Sequence, residues 1–153
     1  MTKKVNSAKA NLLYKSALVL ARRKEPNNVE IVRLLTSAHS LGSGDATYAL
    51  ATWYLHGTHY AKNAKKGTVL LKKAARMCIA SACFDLAVSY EKGIVVEKNK
   101  ERAFALYLEA ALRGDGDAKK QVARCFWHGV GVTKNRIVAD LWAERFRVKR
   151  DNV

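Results

Sequence analysis

One proline in 153 residues and only nine glycines leave few points at which the chain must turn sharply. That scarcity argues against a many-turned β fold and favours long helices. Long apolar runs are missing as well. No stretch approaches the ~20 uncharged residues that a membrane-spanning helix needs, so no membrane segment is expected. Acid is scarce: 13 Asp and Glu stand against 28 Lys and Arg, a formal net charge of +15. An excess of that size attracts polyanions and acidic protein faces and speeds encounter with them, but decides nothing about fold. Cysteine is sparse and odd in number. Cys78, Cys83 and Cys125 stand in apolar helical stretches and are expected to be buried, reduced thiols, which suits a reducing cytoplasm. Lys3 and Lys4 precede an apolar run at 12–20, but Lys15 breaks it, and Arg22-Arg23-Lys24 follows where a small-residue cleavage site would stand. This disfavours a signal peptide, and the expected location is the cytoplasm.

What is present is ordinary globular material: 49% apolar and 27% charged residues, enough for one continuous core. Its organisation is a repeat with a period of 36. Gly57, Gly93 and Gly129 are in phase. So are Ala46, Ala82 and Ala118; Ala51, Ala87 and Ala123; and Tyr54, Tyr90 and Phe126. The dipeptides Lys62-Asn63, Lys98-Asn99 and Lys134-Asn135 keep the same register. A self-similar period of this length marks a stack of supersecondary units.

Each unit reads as two helices. Ala82, Leu86, Ala87 and Tyr90 are spaced by threes and fours, which places them on one helical face. The glycine three residues later fits a left-handed C-terminal cap. The Asn of each Lys-Asn pair suits a helix start, because its side chain can accept from unpaired backbone N–H groups. The second helix, 101–113, carries Ala103, Leu106, Tyr107, Ala110 and Ala111 on one face. Running the period backwards turns Leu71 and Ala74 into Leu35 and Ala38, so 29–41 is a degenerate second helix with 8–23 as its partner. The expected fold is therefore all-α: a right-handed α-solenoid of about four antiparallel helix pairs. Its parts are a degenerate N-terminal cap pair at 1–44 and repeats at 45–80, 81–116 and 117–150. Phe146, Arg147, Lys149 and Arg150 replace the internal Ala-Ala face and read as an end cap, from which a monomer is expected.

The string Ala82, Leu86-Ala87, Tyr90, Gly93, then Val96, Asn99, Ala103, Tyr107 and Ala110-Ala111, resembles the Sel1-like repeat, a relative of the tetratricopeptide repeat. The likeness covers roughly 45–150. It implies a right-handed superhelix whose first helices line a concave face, and a role as an adaptor, or, in some bacterial relatives, as an immunity protein that neutralises a toxin. Secreted cysteine-rich relatives carry a disulfide within each repeat, a pattern absent here.

Removing the repeated packing residues leaves a variable set. By analogy with the tetratricopeptide geometry, the concave positions are Tyr48, Thr52, Leu55 and His56, then Phe84, Val88, Glu91 and Lys92, then Lys120, Arg124, Trp127 and His128. Aromatics beside basic groups are the composition of an interface centre. In this reading Tyr48, Phe84 and Trp127 are anchors, while Lys92, Lys120 and Arg124 orient an acidic partner, a cognate toxin domain being one candidate. Tyr48 and Phe84 can equally be inter-repeat core. A second basic patch, Lys62, Lys65, Lys66, Lys72, Lys73 and Arg76, belongs to a second helix and its approach. It is either a solvated convex face or a surface for an acidic protein or a phosphate backbone. Nucleic acid ranks second as a partner, because no recognised nucleic-acid module accompanies the patch.

Signals for chemistry are weak. His56 and His59 flank a helix-ending glycine with no nearby carboxylate or thiol, so no metal site is expected. Cys125 and His128 stand three apart without an orienting acid or oxyanion hole. No phosphate loop, dinucleotide fingerprint or hydrolase elbow occurs, and neither a cofactor nor catalysis is expected.

Overall fold

The structure, a computed structural model, describes residues 2–147, with side chains placed for 6–144. Eight helices and no strand make up the described residues: α1 (Thr2–Ala21), α2 (Asn28–Ser40), α3 (Gly44–His56), α4 (Ala64–Arg76), α5 (Ala80–Lys92), α6 (Lys100–Leu112), α7 (Gly116–His128) and α8 (Arg136–Arg147). This is the all-α repeat of helix pairs that the period implies. The N-terminal helix begins at Thr2 rather than near residue 8, and α6 starts one residue before its expected position. The side chains of Phe146, Arg147, Lys149 and Arg150, read as an end cap, lie outside the described residues.

Polar caps set the repeat boundaries. Asn63, Asn99 and Asn135 accept from the backbone N–H of Lys66, Arg102 and Val138 at 2.9, 2.7 and 3.1 Å. Each such cap contributes about 1 kcal/mol. The first helices of the three repeats stop at Gly57, Gly93 and Gly129, with φ of 79°, 75° and 73°, a conformation that only glycine adopts without strain.

The second helices α2, α4 and α6 are followed by Gly42, Cys78 and Gly114, at φ of 88°, 65° and 97°. Cys78 therefore occupies a left-handed turn position that glycine fills in its neighbours. It is exposed, contrary to the expectation of three buried thiols; Cys83 and Cys125 are buried as expected. Apolar neighbours suggested burial, but the turn points the residue outward. One residue on, Ser43 and Asp115 cap α3 and α7, accepting from Ala46 and Ala118 N–H at 3.1 and 2.8 Å. Ile79 holds that register instead and packs against Gly44, where a Cβ would meet its Cδ1 at 2.7 Å.

The chain falls into two compact units, residues 1–79 and 80–153. In the first, α1 pairs with α2 and α3 with α4, and α2 packs on α3. Its core includes Ala17, Ile31, Leu34, Leu35, Ala38, Ala46 and Leu50. In the second, α5 pairs with α6 and α7 with α8, and α6 packs on α7. Here Ala82, Ala87, Ala103, Ala110 and Ala118 are almost completely buried, so helices approach closely and larger residues such as Leu86 and Val122 fill what remains. Tyr107 is buried at the register that Leu71 fills in the preceding repeat. A phenol in that place needs a polar partner inside the fold.

Candidate partner-binding surface

The partner of Tyr107 is Glu91. The Tyr107 hydroxyl donates to Glu91 Oε2 at 2.8 Å. A terminal nitrogen of Arg124 donates to both carboxylate oxygens at 2.7 and 2.8 Å, and its Nε donates to Gln121 Oε1 at 2.6 Å. Burial pushes the Glu91 carboxyl up. The hydrogen bonds from Arg124 and Tyr107 and the charges of Arg124 and Lys92 outweigh that push, and the group titrates below its ordinary value. Burial, then the hydrogen bond to Glu91, pushes Tyr107 well above the ordinary phenol range. Around this trio lies an open cleft of about 550 Å³, reached by Lys92, Lys98, Lys100 and Val88.

The variable positions divide according to what they touch. Phe84 packs on Tyr107, ring centroids 5.6 Å apart, which is the packing role open to it from the sequence. Leu55 lies over Gly67, whose added Cβ would stand 2.7 Å from Leu55 Cγ. Thr52 donates to the Ala49 carbonyl at 2.8 Å. Tyr48 and Val88 are half-buried. Lys120 pairs with Asp117 at 2.8 Å on the exposed surface, where such a pair contributes little. His56, Lys92 and His128 are exposed at or near the ends of their helices. Trp127 is 40% exposed, with the Arg136 guanidinium 5.2 Å from its ring centroid. Arg124 and Trp127, close in sequence, thus do different work: the first holds three helices together, the second presents an amphipathic ring.

The basic run behaves as one exposed strip. Lys65, Lys66, Lys73 and Arg76 are exposed on α4, Lys62 precedes them, and Lys72 is half-buried. The Lys66 ammonium lies 2.7 Å from the Tyr54 hydroxyl and 4.2 Å from that ring's centroid. Tyr54 stacks on Tyr60 at 4.5 Å, and Trp53 meets His59 at 4.0 Å. The strip's field reaches inward: burial and then the charge of Lys73 hold His39 below its usual value, where its Nδ1 lies 2.7 Å from Thr47 Oγ1.

Sequence reasoning passed over Trp53. It stands in the register of Ala17, Ser89 and Cys125, small residues in every other helix pair. A large aromatic at a small-residue position was the available signal.

Among the described residues, no group of three or more His, Cys, Asp or Glu could hold a metal ion. Burial pushes the Cys125 thiol up, and its side chain is fully enclosed while His128 is exposed, so the two do not make a nucleophile and base. No described helix is long and apolar enough to cross a membrane.

Comparison with known proteins agrees with this architecture. Residues 44–77, 80–115 and 116–145 match the Sel1 repeat. A Sel1 repeat protein from Oxalobacter formigenes superposes with a TM-score of 0.74 at 28% identity, over 77% of this chain and 89% of that one. A protective antigen of uropathogenic Escherichia coli strains, displaying an SLR fold, gives 0.82 at 21% identity over 97% of this chain; the chain spans 32% of that protein. Helicobacter pylori cysteine rich protein B gives 0.62 at 23% identity, over 77% and 95% of the two chains. Sel1 repeats generally mediate protein–protein interaction and are typically non-enzymatic. With the repeat matched over more than half its length, the chain belongs to the Sel1 repeat family.

Proposed function

We propose that this chain is a cytoplasmic, monomeric binding module for an acidic protein. One observation carries the reading: acid is nearly absent from the first unit, so the net positive charge is concentrated there. Residues 1–79 hold 14 Lys and Arg against three acids, Glu25, Glu30 and Asp45, and α4 contains no acid at all. Residues 80–153 hold 14 against ten, and there Arg113, Lys120 and Arg124 are each paired within the fold. Crowding like charges on one helix costs stability in the free protein, a cost that an acidic partner removes.

We assign contacts to each unit by itself: Tyr48, Thr52 and His56 in the first, with the α4 strip supplying further charge, and Val88, Lys92, Lys120, Trp127 and His128 in the second. Trp127 is the anchor, because an exposed indole beside a cation can bury area at small entropic cost. Leu55 and Phe84 support these positions through packing, and Arg124 supports them through its bridge to Glu91. Neutralising a secreted toxin requires only occlusion, so immunity is the simplest form of this function. A general adaptor needs a second face.

Capture of partners on the intact chain from native lysate, with and without nuclease, tests the proposal. Acidic proteins retained after nuclease support it. Release of all bound material by nuclease would establish the nucleic-acid reading instead. A neighbouring gene for a large secreted protein with a variable C-terminal domain would identify the toxin, and a solitary gene would count against immunity.

A further inference from the structure

The first unit contains a half-enclosed apolar pocket of about 270 Å³ that the variable positions do not describe. One face of α1 forms a wall through Tyr14, Leu18 and Ala21, spaced by threes and fours. Ile31 of α2, Trp53 of α3 and His59 beyond that helix also line it. Small residues make the space: Ala17 and Ala21 leave room that Trp53, ring to ring with His59 at 4.0 Å, borders without filling. Leu18 lines it and is still 39% exposed. An apolar cavity of ~150 Å³ takes a benzene ring, whereas cofactor and drug sites run from ~300 Å³ upward. The volume therefore suits one large side chain of a partner.

Charge at the rim narrows the occupant. Arg22, Arg23 and Lys24 follow directly on Ala21, all exposed, and α1 carries no acid. Glu25 stands beside them, and Asp45 is near enough to Tyr14 that its charge adds to burial in raising that phenol's pKa. Three cations and one carboxylate thus lie on the segment between the pocket-lining Ala21 and Pro26, with Asp45 the other acid near the pocket. We propose that this pocket is the anchor socket for the acidic partner: it takes one aromatic or large aliphatic side chain, presented on a segment whose flanking carboxylates meet Arg22, Arg23 and Lys24. The inference rests on the acidic-partner reading and gives it a specific place.

Affinities are measured by calorimetry on the intact, unmodified chain, and the environment of Trp53 is read in a chain carrying Trp127→Phe and Trp142→Phe, where Trp53 is the sole tryptophan, with helical circular dichroism to confirm folding. If that background unfolds, the calorimetry alone decides. The probes are two synthetic peptides, one with a phenylalanine between two pairs of glutamates, the other with serine in its place. The phenylalanine peptide should shift Trp53 emission to the blue and bind at least about tenfold tighter than the serine peptide, as burial of a ring requires. Ala21→Phe, which enlarges an exposed residue lining the pocket, should remove that difference. Arg23→Glu should weaken both peptides. Equal affinity for the two peptides, or an unchanged difference in Ala21→Phe, overturns the socket while leaving acidic-partner binding standing. If neither peptide binds at millimolar concentration, the socket is overturned as well, and lysate capture then decides the broader reading separately.

Discussion

Arg124 of α7 reaches Glu91 of α5 with one guanidinium nitrogen 2.7 and 2.8 Å from the two carboxylate oxygens, and Tyr107 of α6 donates to the same carboxylate. The pair looks like a stretch of binding surface in the sequence, but it works as a brace. Glu91→Ala would leave Arg124 and the Tyr107 hydroxyl without their acceptor, and should cost about 1–3 kcal/mol in urea unfolding. Arg124→Glu should cost at least as much, since it sets two carboxylates against each other. Trp127→Ala, four-tenths exposed, should leave stability nearly unchanged and weaken partner affinity at least about tenfold.

Acid should act on the two units at different pH. Glu91 titrates below its unfolded value of about 4.3, so its contribution is complete above that pH and lost as pH falls through the depressed folded value. His39, also held low, contributes above its unfolded value of about 6.5 and loses that contribution as pH falls through its folded one. The stability of the wild type should therefore fall first below pH ~6.5 and again below pH ~4.3. His39→Gln should reduce the first step, and Glu91→Gln the second, to which Glu30, held low by its hydrogen bond to Arg33, also contributes.

Two turns carry strain that a single substitution can release. Cys78 and Val95 have φ of 65° and 61°; Gly42 and Gly114 hold the register of the first, and Gly131 that of the second in the last repeat, while the first repeat has His59 there. Non-glycine residues in this region cost of the order of 1–3 kcal/mol. Glycine's greater freedom in the unfolded chain offsets part of that. Cys78→Gly and Val95→Gly should each raise stability by about 1 kcal/mol, read as a higher midpoint of thermal unfolding.

These turns also show what the sequence made legible and what it withheld. The period announced itself because packing demands the same small residue at the same place, as at Ala46, Ala82 and Ala118, and because Asn63, Asn99 and Asn135 must each start a helix. Cys78 was misread because its neighbours are apolar and helical, although the 72-residue spacing of Gly42 and Gly114 marked its register as a left-handed turn. Contacts between helices were out of reach. Nothing along the chain connects Leu55 to Gly67, or Glu91 to Tyr107, until two helices are laid side by side. The Trp53 pocket needs three helices and a loop, so no periodicity could reveal it.

The Leu55–Gly67 contact gives the most local check on helix pairing. Residue 67 is glycine where later repeats have Ala103 and Ala139, and Leu55 is why: an alanine Cβ would press on Leu55 Cγ at 2.7 Å and approach its backbone nitrogen at 3.0 Å. Gly67→Ala should destabilise by about 1–3 kcal/mol despite alanine's better helix propensity. Combined with Leu55→Ala, it should cost less than the two single changes added together, a coupling that a double-mutant cycle of unfolding measurements reads directly.

In the proposed function, the excess positive charge of the first unit draws this protein to an acidic protein. Titration of the captured partner into the intact chain, and into a chain carrying Lys65→Glu, Lys72→Glu and Arg76→Glu, measures it most directly when repeated across a range of salt concentrations. The account predicts affinity at least about tenfold weaker in the variant, with a shallower dependence on salt, while both chains keep the same helical content. Equal affinity and an equal salt dependence in the two chains would contradict it.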